Sequence, residues 1–255
     1  MALWKRRSDR KKEQLPKAPR YDIEMGPWDA VLWLAAGQVD AGQVTSAEDN
    51  FRQVMESGDA ASGPIGAFNL GILLERRGEL TGAEDAYRRG LESGHRDVAA
   101  MCGINLGLLL KRHSDIQGAE ECLQAAIETG HADHAPRAMV ELGAVALENS
   151  RFEAAESALR EALATGHPDE AHRATFHLGR VLVGRGDLDG GQECHQRILD
   201  AERNEFTAGG AHYSMGEIQA MRGDTTAALQ SYIAAAELGE EQIKNLAHEA
   251  VRQLR

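Results

Sequence analysis

The stretch FNLGILLERRGELTGAEDAYRRGL, residues 68–91, decides the fold of this chain. Phe68, Leu70, Leu73 and Leu74 form one apolar set; Ala83, Ala86, Tyr87, Gly90 and Leu91 form a second. Spacings of three and four place each set on one face of a helix. Gly78 stands between them, where a left-handed residue ends a helix. The stretch predicts helix, short turn, helix.

The same pattern returns on both sides. Leu-Gly pairs stand at Leu70-Gly71, Leu106-Gly107, Leu142-Gly143 and Leu178-Gly179, each step 36 residues. Met215-Gly216 follows after 37, and Leu34-Ala35 precedes by 36. An Ala-acidic pair travels in register at Ala47-Glu48, Ala83-Glu84, Ala119-Glu120 and Ala155-Glu156, decaying to Gly191-Gln192 and Ala228-Leu229. A small residue and glycine recur at Ser57-Gly58, Ser93-Gly94, Thr129-Gly130 and Thr165-Gly166. First helices are expected to end at Gly42, Gly78, Ser114, Ser150, Gly186 and Gly223. Second helices are expected to open with capping boxes, Thr45 with Glu48, Thr81 with Glu84 and Asp189 with Gln192. A unit of this size cannot bury its apolar face alone, so neighbours must stack.

Composition agrees. Of 255 residues 42% are hydrophobic, yet only 5% are aromatic and 6 are proline, which favours helix over a β-sandwich. No run of apolar residues is long enough to span a bilayer. Basic residues stand where a signal peptide needs an apolar core, and Cys102, Cys122 and Cys194 show no CxxC spacing. Both features point to a cytoplasmic protein with reduced thiols. Arg outnumbers Lys and Ala and Gly are abundant, as in a high-GC bacterium. The net charge of −12 divides unevenly: residues 1–20 hold eight Lys/Arg and two Asp/Glu, while the rest is strongly acidic. An acidic body repels nucleic acid, so only the tail can attract it.

Gly71, Ala83, Tyr87 and Gly90 resemble the tetratricopeptide repeat, and so do Gly107, Ala119, Leu123, Ala126 and Gly143, Ala155, Leu159, Ala162. Gly94-His95, Gly130-His131 and Gly166-His167 are similar to the related Sel1-like repeats, and these residues do not separate the two subfamilies. The resemblance covers residues 28–239, with a unit longer than the usual one of about 34. It implies an all-α, right-handed solenoid of about six helix pairs whose first helices line a concave surface. It also implies a non-catalytic adaptor or scaffold without a cofactor, binding a peptide or helix of another protein. The expected organisation is a basic, disordered tail (1–20), repeats near 28–63, 64–99, 100–135, 136–171, 172–208 and 209–239, and a capping helix at 240–255. That last helix carries one stripe of Ile243, Leu246, Ala247, Ala250, Val251 and Leu254.

On the first helices, the residues before each Leu-Gly pair are Trp33, Asn69, Asn105, Glu141, His177 and Ser214. Four earlier stand Arg137 and Arg173; seven later stand Arg76, Arg112 and Glu148. These spacings define one strip, expected to face away from the core. The candidate groove residues are Asn69, Arg76, Asn105, Arg112, Arg137, Glu141, Arg173 and His177. Asn69 and Asn105 match the asparagines of carboxylate-clamp repeats, but Phe68 and Ile72 occupy positions where that clamp carries Lys and Asn. Two readings stand: a groove for an acidic or amide-rich segment, held by forked Arg donors, or ordinary solvated polar residues.

Other chemistry reads as structure. His95, His131 and His167 recur at the repeat period, and His131 with His134 lacks the further ligands of a structural zinc site. The cysteines read as small buried residues. Gly184-Arg185-Gly186 and Gly209-Gly210 are expected in turns and loops, not in a phosphate cradle. No nucleophile elbow, P-loop or HExxH motif is present. The tail, Trp4, Lys5, Arg6, Arg7, Arg10, Lys11 and Lys12, has three readings: a solvated arm, a dock for acidic protein surface, or a contact to anionic lipid or nucleic acid. In that last case the solenoid is a regulatory body and the tail its effector. Self-association through the solenoid ends is a further possibility.

Overall fold

The computed structural model describes residues 27–201 and 205–254; the tail and its basic residues lie outside them. Thirteen helices and no strand occur among the described residues. They form six antiparallel pairs: α1 (Pro27–Asp40) with α2 (Val44–Glu56), α3 (Ser62–Arg77) with α4 (Leu80–Leu91), and α5 (Arg96–Arg112) with α6 (Ile116–Glu128). Next come α7 (His134–Glu148) with α8 (Phe152–Ala164), α9 (Pro168–Gly184) with α10 (Leu188–Asp200), and α11 (Glu205–Met221) with α12 (Thr225–Leu238). The single helix α13 (Glu241–Gln253) closes the row. None of the helices is long and apolar enough to cross a membrane.

Every expected first-helix stop is a left-handed residue: Gly42, Gly78, Gly186 and Gly223 have φ of 75°, 78°, 86° and 81°, and Ser114 and Ser150 have 65° and 56°. Only these tight turns fold each second helix back on its first. The expected capping boxes do not form. The caps lie two residues earlier, at Gln43, Glu79 and Asp187, so Thr45, Thr81 and Asp189 are already inside their helices. Asp115, Asp187 and Asp224 accept from the amides of Gly118, Gly190 and Ala227 at 2.9, 2.9 and 3.0 Å. Gln43, Glu79 and Arg151, in the same place, make no such bond.

The repeated histidines have a comparable task. His95, His131 and His167 accept at Nδ1 from the amides of Val98, His134 and Glu170, at 3.4, 3.3 and 3.4 Å. They start α5, α7 and α9 by satisfying an orphan amide of the first turn. The acidic member of the Ala-acidic pair ties repeat to repeat. Glu48, Glu120 and Glu156 pair with Arg77, Arg151 and Arg185, each just after the following first helix or in its last turn.

Stacking follows one rule. Each helix packs on its neighbours in sequence, and the odd-numbered helices also touch one another in series. The even-numbered helices make no comparable contacts among themselves. Inner helices in contact with outer ones splayed apart make an arc, an α-solenoid with α3, α5, α7, α9 and α11 on its concave side. Within each pair a small first-helix residue receives a second-helix side chain. A methyl added at Gly71, Gly107 or Gly143 would lie 2.5, 2.8 or 2.6 Å from Tyr87, Leu123 or Leu159.

Two segments depart from the expectation. Gly209-Gly210 lies inside α11, and a methyl on Gly209 would stand 2.3 Å from the Gly239 Cα, so the pair serves close helix packing and no loop. In α13, Ala247 is fully buried but Leu246 is 46% exposed, so the stripe is narrower than expected. α13 sits in the register of a first helix, with Ala247 and Val251 following Ala211 and Met215 by 36, and Arg252 standing where α11 has Gly216.

Candidate functional site

The concave face of α3 and α5 holds a cavity of about 330 Å³, lined by Ile72, Glu75, Arg76, Tyr87, Asn105, Leu108 and Arg112. Three of the expected groove residues, Arg76, Asn105 and Arg112, meet here. Its floor is apolar: Ile72, Leu108 and the ring of Tyr87. Gly71 makes that floor possible, because without a side chain it lets the Tyr87 ring lie against α3. The hydroxyl then donates to Glu75 Oε2 at 2.8 Å, and Asn105 approaches the same hydroxyl. Burial, reinforced by Glu75, pushes the Tyr87 phenol far above its ordinary range. Arg112 pairs with the other Glu75 oxygen while remaining half exposed. The Glu75 charge is thus offset by Arg112 and hydrogen-bonded by the neutral Tyr87 hydroxyl, and Arg76 adds positive charge at the rim.

The remaining expected residues lie elsewhere on the strip. Asn69 is half-buried and donates to its own helix at the Ile65 carbonyl, 2.8 Å away. Arg137 is exposed on α7. Arg173 is half-buried and clamps α9 to α7, donating to Glu141 and, at 2.8 Å, to Glu170. Both carboxylates are nearly buried. Arg173 therefore holds the stack, and its removal strands two charges. His177 points inward: its Nδ1 is buried without a partner, and burial draws its pKa down to about 3, with Arg180, Arg173 and Lys111 adding to the shift. Ser214 is also buried, at 4% exposure, against the expectation that this position faces outward.

Sequence reasoning missed Tyr87, Glu75, Ile72 and Leu108 as groove residues. A signal existed for the first. Tyr87 fills the position held by Leu123 and Leu159, and only its hydroxyl reaches across α3.

A histidine cluster joins α5 to α7. Asp97 Oδ1 lies 3.0 Å from His134 Nε2 and 3.3 Å from His131 Nε2, and the two rings stack with centroids 4.5 Å apart. Three ligand-type atoms converge. The tautomer argues against a metal. His131 Nδ1 accepts from the amides of Asp133 and His134, at 3.2 and 3.3 Å. The neutral ring then carries its proton on Nε2, toward Asp97. A metal at Nε2 requires that proton on Nδ1, facing two amide donors. The cluster is a latch between α5 and α7, repeated more loosely by His167 and Asp133 at 3.6 Å.

The cysteines are buried and free; burial pushes the Cys102 thiol up to about 12 and Cys122 to about 11. They are poor nucleophiles.

A sequence profile described as Tetratricopeptide repeat matches residues 34–97, 104–171 and 140–191. The chain belongs to the tetratricopeptide-repeat family. A search of curated proteins gave no significant match. Among solved structures, the Cut9 and Hcn1 heterotetramer of the APC/C is similar at a TM-score of 0.63 and 15% identity, covering 89% of this chain. This chain spans 42% of the length of the chain it matches there. PilF of Pseudomonas aeruginosa gives 0.63 and 16%, covering 87% of this chain and 97% of PilF. YrrB, a repeat protein described as having an unusual peptide-binding site, gives 0.57 and 20%, covering 79% of this chain and 97% of YrrB. At these identities the likeness is one of fold. A tetratricopeptide array suggests a surface for other proteins.

Proposed function

We propose that this protein is a non-catalytic scaffold that holds an extended, acidic segment of a partner protein across α3 and α5. The observation that carries the reading is the cavity where an apolar floor, the Asn105 amide and two arginines converge. Asn105 offers a donor and an acceptor to a peptide backbone. Ile72, Tyr87 and Leu108 receive one apolar anchor. Arg76 and Arg112 favour carboxylates on either side of it, and forked guanidinium donors give that preference geometry.

Fluorescence anisotropy with labelled peptides tests this. Peptides pairing an apolar residue with flanking Asp/Glu should bind, and basic peptides of the same length should not. Asn105→Ala should weaken binding about tenfold, the loss of one or two hydrogen bonds, without moving the melting temperature. Equal binding of acidic and basic peptides, or an Asn105→Ala variant that binds like the parent, overturns the proposal.

A further inference from the structure

Among the described residues nothing stacks on one face of helix α1. In α3, positions 66, 70 and 73 meet the preceding second helix: a methyl at Gly66 would stand 2.8 Å from the Met55 nitrogen and 3.0 Å from Val54 Cβ of α2. Their equivalents in α5, Cys102, Leu106 and Leu109, are at most 2% exposed. In α1 the same three positions are Ala30, Leu34 and Gly37. Ala30 is exposed, Leu34 is 56% exposed, and a methyl on Gly37 would meet nothing within 4 Å. Trp33 beside them is 72% exposed. Large apolar side chains on view at a surface built for packing mark an interaction site.

Three occupants compete. Counting back one repeat from α2, a preceding second helix would span residues 8–20, where Pro16 and Pro19 fall and Lys11 replaces the buried Ala47. Proline has no amide proton to give a helix interior, so the residues there lack the sequence pattern of the repeat's second helices. A head-to-tail copy needs a free second helix at the other end, but α13 already packs on α12. The face's own pattern, small Ala30 and Gly37 on either side of the large, exposed Trp33 and Leu34, suits a second copy of itself.

We propose that α1 is the two-fold contact of a homodimer, pairing antiparallel with α1 of a second copy. A preceding second helix would also run antiparallel to α1, so the pairing continues the geometry of the repeat interface. A two-fold axis beside Leu34 sets Ala30 of one copy opposite Gly37 of the other, twice. Small residues facing small residues let the helices approach closely, with Leu34 and Trp33 of both copies between them. The charges of α1, Asp29 and Asp40, stand near its ends, and antiparallel macrodipoles attract. A helix of 14 residues is about 21 Å long. One such pair buries less than the roughly 1,600 Å² of a standard interface, so the dimer dissociates in the micromolar range.

Sedimentation equilibrium of the full chain, from micromolar to millimolar, should show a monomer–dimer transition. Leu34→Glu should raise the dissociation constant more than about tenfold with an unchanged thermal melt by circular dichroism. Under mild oxidation Leu34→Cys should cross-link to itself. Ala30→Cys and Gly37→Cys should cross-link to each other only when mixed. The native cysteines are buried and give no background. A monomer throughout, a ladder of higher oligomers indifferent to Leu34→Glu, or a dimer that appears only after removal of residues 1–26 each overturns the proposal.

Discussion

The second repeat fills the slot opposite its first-helix glycine with Tyr87, and the fifth fills the same slot with His195. A methyl on Gly71 would lie 2.5 Å from the Tyr87 ring, and one on Gly179 would lie 2.8 Å from the His195 ring. The packing is the same, yet the polar atoms fare differently. The Tyr87 hydroxyl emerges past α3 and bonds Glu75. His195 has no exposed surface, and neither ring nitrogen has a partner. It forms a T-shaped pair with Phe176, 5.7 Å between centroids, and Phe176 forms another with His177 at 5.4 Å. One repeat converts a buried aromatic into part of a groove; the other stores a sealed imidazole, His195, beside the half-buried His177. A polar group left unsatisfied in the interior costs about 1–3 kcal/mol. The fifth repeat should therefore be the softer of the two.

The largest effect should come from closing the slot itself. Gly107→Leu forces a side chain onto Leu123 and the Ala119 carbonyl, 2.8 and 3.0 Å from its Cβ. A loss of about 3 kcal/mol is expected in urea titration, at the upper end for overpacking because a backbone oxygen cannot swing away. Wild-type stability would break the idea of a common slot.

Acid should then find the fifth repeat. Burial draws His195 down to about 4 and His177 to about 3, from 6.5. Below 6.5 the unfolded chain takes up protons that the folded one refuses. The stability these rings contribute is full above 6.5 and is lost as pH falls toward 4 and then 3. Each pH unit in that window removes up to about 1.4 kcal/mol per ring. Stability measured at pH 7 and pH 4.5 should show the loss, and hydrogen exchange should place it first in α9 and α10. His195→Leu, copying Leu123 and Leu159, should add about 2 kcal/mol at pH 7 and remove about half of the acid response. Destabilisation would mean that the slot needs a ring.

Tyr87→Phe keeps the packing and deletes one bond, so about 1 kcal/mol should disappear. Peptide affinity should fall with it, because Glu75 then opposes acidic ligands. The smallest contrast lies at the turns. Asp115→Ala should lose about 0.5–1 kcal/mol of cap energy, while Glu79→Ala, whose side chain caps nothing, should be silent.

How far these features were legible in the sequence varies with their range. Repeat period, helix pairing and all six left-handed stops follow from local rules, since 3.6-residue periodicity and the steric demand of positive φ act within a few residues. The exact caps did not follow: Thr45 and Glu48 look like a capping box, but stacking sets the helix start, and it begins at Val44. At the groove, spacing named Arg76, Asn105 and Arg112 because they lie on one strip. It missed Tyr87 and Glu75, which join that strip from a second helix and from the neighbouring register. Arg173 and His177 share the strip in sequence, yet curvature turns one into a clamp between helices and the other inward. Tertiary geometry, not pattern, makes that difference.

The contacts between odd-numbered helices, without comparable ones between even-numbered helices among the described residues, give the molecule unequal resistance to deformation. Closing the arc further compresses packed inner helices; opening it draws them apart while the outer ones, already separate, merely converge. The solenoid is thus a leaf spring that yields more readily toward straightening, and a ligand seated across α3 and α5 works against that yielding like a splint.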